Sequence, residues 1–305
     1  MGPGPRSDVP FTERGWGTTK WYERARSYAV GASRRRSPDG YSAWLVREVD
    51  QSLIDKGLQR VDGSLARLVK SQRTTEADAK AARGRIRGTL SLADFRDRDL
   101  VIEAIVEEIG PKKKLFADLD AICGPTTLFC SNTSSLTIVE MAAATKRPDR
   151  FAGLHFFNPP VIMKLVEIVQ AITTSDETIA ALKEFIAKLG KTGVMCKDTT
   201  GFIVNRLMVP YLLGAVRMLE LGIATKEDID QAVKLGLGYP MGPFELIDYT
   251  GVDINYHVAN VFFEEFREAG MAPPPLLRRM FLAGRLGTKT GKGFYEYDEQ
   301  GKRKS

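Results

Sequence analysis

Residues 131–169 read SNTSSLTIVEMAAATKRPDRFAGLHFFNPPVIMKLVEIV. Within them, Phe151-Ala152-Gly153-Leu154-His155-Phe156-Phe157 is apolar except for one histidine. Such a run, stopped by Asn158-Pro159-Pro160, predicts a buried strand whose end aims side chains at a ligand. His155 is one of two histidines in the chain. Glu167 follows inside a second apolar run, Lys164-Leu165-Val166-Glu167-Ile168-Val169. A carboxylate there is costly without a partner. His155 is the economical partner, because a buried His–carboxylate pair fixes the tautomer and stabilises the imidazolium. Taken alone, the two residues read more readily as a satisfied core histidine and an ordinary strand glutamate.

The chain has 305 residues, enough for two domains, and its hydrophobic content of 43% is that of a soluble globular protein. No apolar run is long enough to span a membrane. The N-terminus has basic residues without an apolar core, which argues against a secretory signal, and its Asp and Glu make it a poor transit peptide. Cys123, Cys130 and Cys196 show no metal-ligand spacing. They predict structural thiols, no metal site and a reducing compartment, here the cytoplasm. The net charge of +6 is concentrated in the first forty residues, including Arg34-Arg35-Arg36, and no nucleic-acid motif accompanies it. It reads as a solvated basic surface, or as a field attracting the phosphates of an anionic ligand.

Outward from the central stretch, strands and helices alternate. Tyr41–Val46 predicts a strand. Over residues 50–70, Leu53, Ile54, Leu58, Val61, Leu65 and Leu68 recur at helical steps. Residues 71–98 are polar and basic, without a predicted element. Asp99–Ala104 predicts a buried strand, 111–122 a helix opened by Pro111, TTLFCSN a strand, and 176–190 a helix. This alternation predicts an α/β fold with a doubly wound parallel sheet. From Asp198 the strands stop and long helical runs follow, with Pro210 kinking the first or lying near a turn. The expected division is an atypical, possibly disordered arm (1–39), a dinucleotide-binding domain (40–197) and a helical C-terminal domain (198–305). An acid ending the second strand of such a fold binds the adenine ribose and disfavours a 2′-phosphate. Glu48 holds that place, with Asp50 as the alternative, a surface glutamate as the plain reading, and Arg47 leaving NADP possible. Ser134 reads as a helix cap and Asn205 as a structural polar residue in an apolar helix. His257 matches no catalytic pattern.

Seven strings change that balance: VIEAIVEE (101–108), SNTSSL (131–136), RFAGLHFFNP (150–159), MKLVEIV (163–169), DTTGFIVNRLMVPYL (198–212), GYPMGPFELIDYTGVD (238–253) and GTKTGKGFYEY (287–297). The chain closely resembles the short-chain L-3-hydroxyacyl-CoA dehydrogenases, including the bacterial 3-hydroxybutyryl-CoA dehydrogenases, over roughly residues 40–297. The resemblance implies a Rossmann-type domain followed by an all-α domain that also forms a homodimer. It implies NAD-dependent oxidation of a (3S)-3-hydroxyacyl-CoA in fatty-acid or butanoate metabolism, with no nucleic-acid or membrane partner. His155 is then the base and Glu167 its partner, while Ser134 and Asn205 contact the substrate's C3 oxygen. Ala104, Glu107, Lys112, Ser134, Asn158 and Lys289 approach the cofactor. Ser64 and Lys70 contact the CoA, or form a solvated helix face.

The family's Gly-rich turn is missing. G-x-G-x-x-G occurs nowhere in the chain, and Gly15-Trp16-Gly17-Thr18-Thr19-Lys20 is a chance near-match lacking the third glycine. One codon choice for Gly31–Arg35, read in a shifted frame, gives Gly-Ile-Ala-Gln, the start of the family's first helix. The expectation is a reading frame lost upstream of Gly40, through a frameshift or a wrong start. The competing class is an impaired member acting as a structural dimer or acyl-CoA binder.

Overall fold

A computed structural model describes residues 29–36, 42–158 and 160–304. The Gly15–Lys20 string lies outside them. The chain divides into two compact units that meet at Thr199 and Thr200.

The first unit holds an eight-stranded sheet in the order β3-β2-β1-β4-β5-β6-β7-β8. The strands are β1 (Ala29–Arg36), β2 (Ser42–Arg47), β3 (Ile86–Thr89), β4 (Leu100–Ala104), β5 (Leu128–Ser131), β6 (Phe151–Phe156), β7 (Leu165–Gln170) and β8 (Thr192–Lys197). Residues 29–36, expected to be an arm without strand pattern, instead form a strand between β2 and β4, antiparallel to both. The connection explains its direction. Five residues separate Arg36 from Ser42, and a parallel return needs a crossover of a dozen or more. With β1 reversed, β2, β3, β4, β5 and β6 run one way, and β7 and β8 the other. The carboxyl ends of β2, β4, β5 and β6 therefore share one edge, where α/β sheets bind ligands.

Helices cover both faces. They are α1 (Gln51–Lys70), α2 (Glu76–Gly84), α3 (Ile109–Ile122), α4 (Ile138–Ala142) and α5 (Asp176–Lys188). Strand alternation sorts the core. Ile102, Cys130, Ala152, Leu154, Val166 and Ile168 pack with Leu182 and Ile186 of α5. Phe129 and Phe151 point the other way, and the Phe116 ring of α3 meets Phe151 edge-on at 4.5 Å. Glu103, Ser131, His155 and Glu167 have the parity of Phe129 and Phe151, so they line the same face. Gly153 lets α4 settle there: a Cβ would stand 2.9 Å from Ile138 Cδ1 and 2.7 Å from Val169 Cβ. The polar stretch after residue 70 contains α2 and β3, which periodicity did not reveal. Both are short, and β3 is an edge strand with two exposed residues.

The second unit is helical, with α6 (Val204–Glu220), α7 (Lys226–Leu237), α8 (Pro243–Thr250), α9 (Val252–Phe266) and α10 (Pro275–Leu282). Pro210 lies inside α6. Two buried carboxylates tie the unit together. Asp230 accepts the amides of Phe244 and Glu245 and the Tyr295 hydroxyl. Asp248 accepts the amides of Phe294 and Tyr295 and the Tyr297 hydroxyl. Among the described residues, no helix is long and apolar enough to cross a membrane, and no cluster of His, Cys, Asp and Glu is arranged to hold a metal ion.

Candidate active site

β6 and β7 pair antiparallel with His155 directly opposite Glu167. Cross-strand partners put their side chains on one face, and His155 Nδ1 lies 2.7 Å from Glu167 Oε2. Both side chains are buried. Burial of a carboxylate within hydrogen-bond reach demands a donor, so the imidazole proton belongs on Nδ1. The neutral ring then presents the Nε2 lone pair. Ser134 Oγ stands 3.1 Å from Nε2, at the loop between β5 and α4. The plain reading of Ser134 as a helix cap does not hold: Asp198 takes the Ile138 and Val139 amides that open α4.

Several residues that sequence reasoning missed build this corner. Asn132 Oδ1 accepts the Phe156 amide at 2.9 Å, tying the loop after β5 to the residue after His155. Glu103, fully buried at the end of β4, accepts the Ile105 amide and the Ser131 hydroxyl, each at 2.6 Å. The clue was present as a glutamate in the apolar string Val101-Ile102-Glu103-Ala104, the same signal that singled out Glu167.

Comparisons with known proteins show the family. Residues 38–199 match the family described as 3-hydroxyacyl-CoA dehydrogenase, NAD binding domain, and 201–297 its C-terminal domain. The chain belongs to the 3-hydroxyacyl-CoA dehydrogenase family. It is 48% identical over 254 residues to a 3-hydroxybutyryl-CoA dehydrogenase of Mycobacterium tuberculosis, covering 83% of this chain and 89% of the relative. It is 45% identical over 277 residues to the mitochondrial hydroxyacyl-coenzyme A dehydrogenase of Rattus norvegicus, covering 88% and 87%. The crystal structure of (S)-3-hydroxybutyryl-CoA dehydrogenase PaaH1 from Ralstonia eutropha matches with a TM-score of 0.81 at 40% identity, covering 84% of this chain and 90% of that one.

In this 3-hydroxyacyl-CoA dehydrogenase family member, the remaining candidate residues fall as follows. Glu48 follows β2 and is buried, and its Oε2 has no hydrogen-bond partner among the described residues. An orphaned buried carboxylate oxygen at a strand's carboxyl edge suits a ribose hydroxyl, so the adenosine end of NAD fits here. The alternative, Asp50, is the N-cap of α1, accepting the Leu53 amide. Arg47 Nε is also buried without a partner. Ala104 ends β4 at the same edge, and Asn158 is exposed just beyond β6. Among the described residues, β1 is followed by the strand β2 and not by a helix.

Lys112 is buried against Glu103 and Glu107. Ser64 is buried too, donating to the Arg60 carbonyl and accepting from the Arg67 guanidinium. Lys70 is exposed at the end of α1. In the second unit, Asn205 is the second residue of α6, and Lys289 is ion-paired with Asp253 of α9.

Burial pushes the Glu48 carboxyl up to about 7, against the pull of the Arg47 guanidinium. The sign follows: a raised folded-state value stabilises the fold fully below the unfolded value of 4.5, and that contribution is lost as pH rises through about 7. Above pH 7 the ligand-free protein holds a poorly solvated charge. Glu48→Gln is expected to raise stability at pH 8 by about 2 kcal/mol after solvent screening, and by much less at pH 5. Denaturant titrations at the two pH values check this; an equal gain at both refutes it.

Proposed function

We propose that this chain oxidises a short-chain (3S)-3-hydroxyacyl-CoA, with 3-hydroxybutyryl-CoA as the model substrate, to the 3-oxoacyl-CoA. The observation carrying the reading is Ser134 Oγ, His155 and Glu167 in one hydrogen-bonded line at the carboxyl edge of the sheet. Bound NAD supplies the hydride acceptor. Glu48 would hold its adenine ribose, with Ala104 and Asn158 toward its other half.

His155 Nε2 takes the proton of the 3-hydroxyl as C3 gives up its hydride. Its ring keeps the Nδ1 proton and donates it in a hydrogen bond to Glu167, whose carboxylate stabilises the imidazolium. The Ser134 hydroxyl donates to the C3 oxygen as its bond order rises. In the reducing direction the imidazolium returns the proton. Asn205 is assigned to the same oxygen and Lys289 to the cofactor on the resemblance of their strings, and neither is needed for the proton's path.

The proposal includes fatty-acid β-oxidation or butanoate metabolism in the cytoplasm. Reduced, unpaired Cys123, Cys130 and Cys196 support a reducing compartment. It also includes a homodimer through the second unit, which exposes Leu207, Leu221 and Leu235. A monomer by analytical ultracentrifugation at micromolar concentration would remove that part. The deciding experiment is NADH titration by fluorescence followed by acetoacetyl-CoA reduction. NADH binding and turnover are expected. Acetoacetyl-CoA binding without NADH binding would instead identify an acyl-CoA binder that has lost its cofactor.

A further inference from the structure

The segment that follows His155 continues through Asn158 into Pro159 and Pro160. Proline has no N–H, so this segment has carbonyls to satisfy and fewer amides of its own to bind with. Just beyond, the side chains of Ile162, Met163 and Lys164 are exposed. An outside donor holds the turn instead. Lys191 Nζ donates to the Pro160 carbonyl and, at 2.7 Å, to the Met163 carbonyl.

Strand direction brings Lys191 to this place. β7 runs antiparallel to β6, and β8 runs parallel to β7. The starts of β7 and β8 therefore lie at the carboxyl end of β6, the end that carries His155. Thr192, the first residue of β8, donates its amide to the Lys164 carbonyl at 2.8 Å. Gly190, at φ +68°, turns the chain out of α5 just before Lys191. Burial pulls the Lys191 ammonium below its ordinary value, and the two carbonyls offset that cost through charge-assisted hydrogen bonds. Between His155 and this clamp lies Phe157. Its ring centroid is 4.6 Å from that of the imidazole, with the planes at 55°.

We propose that Lys191 is a positioning residue: its ammonium clamps the 160–163 turn by two carbonyls, and the clamped turn keeps the Phe157 ring packed against His155. Glu167 holds the imidazole at Nδ1, 2.7 Å away. A second contact is needed to set the tilt of the ring, because one hydrogen bond leaves the ring free to swing about it. Phe157 supplies that contact, and its own backbone is fixed by the clamp. A displacement of about 1 Å at a reacting group costs roughly 10²-fold in rate, so an ammonium that never touches substrate can govern the direction of Nε2.

The inference rests on the dehydrogenase reading, so its test includes a signal independent of turnover. The chain has two histidines, His155 and His257, and the His155→Gln variant assigns their imidazole NMR signals. Lys191→Met keeps most of the side-chain stem and removes the ammonium. In it, kcat for acetoacetyl-CoA reduction is expected to fall about 10- to 100-fold, with the NADH dissociation constant within about threefold. The His155 signals are expected to move, because the aromatic ring beside them shifts, while those of His257 do not. Lys191→Gln keeps a donor for one carbonyl and should give smaller changes of the same kind, which covers failure of the methionine variant to fold. Unchanged kcat and His155 signals overturn the proposal. So does a loss of kcat with the His155 signals unmoved, since Lys191 would then act elsewhere than on the imidazole. If the wild-type protein does not turn over, the dehydrogenase reading fails, and the His155 signals alone decide the positioning role.

Discussion

His155→Gln is expected to lower kcat for acetoacetyl-CoA reduction by about 10²- to 10⁴-fold while leaving the NADH dissociation constant within about threefold. Glutamine reaches about as far as histidine. Its NH₂ can donate to Glu167, now 2.7 Å from Nδ1, and its carbonyl can accept from Ser134, now 3.1 Å from Nε2. Strand pairing in β6 uses backbone groups and is untouched. What disappears is the ring nitrogen that takes and returns the proton of the C3 oxygen. Loss confined to kcat is the mark of an interaction made in the reacting complex rather than in binding. Steady-state kinetics beside fluorescence titration separate the two. A variant keeping more than a tenth of the wild-type kcat would remove His155 from the role of base.

Asp248→Ala is expected to destabilise the helical unit by about 3–5 kcal/mol. The carboxylate is fully buried and is the shared acceptor for the Phe294 amide at 2.9 Å, the Tyr295 amide at 2.8 Å and the Tyr297 hydroxyl at 2.9 Å. Alanine leaves three donors without it, and each buried unsatisfied donor costs about 1–3 kcal/mol, reduced where water enters the space left behind. Gly293 sharpens the effect. A Cβ there would fall 2.0 Å from Asp248 Oδ1, so the 293–297 segment is folded tightly around this side chain. Hydrogen exchange at Phe294 and Tyr295 localises the loss, and denaturant unfolding measures it. Because the chain has two compact units, the transition is best followed by probes within the second. A change below about 1 kcal/mol would mean that the Asp248 network does not hold this segment in place.

The elements that periodicity predicted are those whose burial is one-sided or continuous. α1 shows its stripe in Ile54, Val61 and Leu65; β4 and β6 are nearly unbroken apolar runs. α2 and β3 escaped because a nine-residue charged helix and a four-residue edge strand bury too little to leave a period. β1 escaped for another reason. Ser33-Arg34-Arg35-Arg36 lacks the apolar run that usually marks an interior strand, and its place comes from pairing with both β2 and β4.

For the site, sequence alone determined which residues were out of place: a histidine and a glutamate in two apolar runs, and a serine-rich loop between a strand and a helix. It also established the missing Gly-rich turn, since composition and order need no coordinates. Only the tertiary structure decided how these groups meet. Register sets His155 opposite Glu167, and strand direction brings the ends of β2, β4, β5 and β6 to one edge. Asp50 is committed to a helix cap and Glu48 retains an unpartnered oxygen. Glu107 accepts the Ser134 amide, and Lys112 pairs with Glu107 and with the buried Glu103. The physical reason is the same in each case. A residue's chemistry is written in its side chain, but its partner is chosen by strand register and by which buried donors remain to be satisfied.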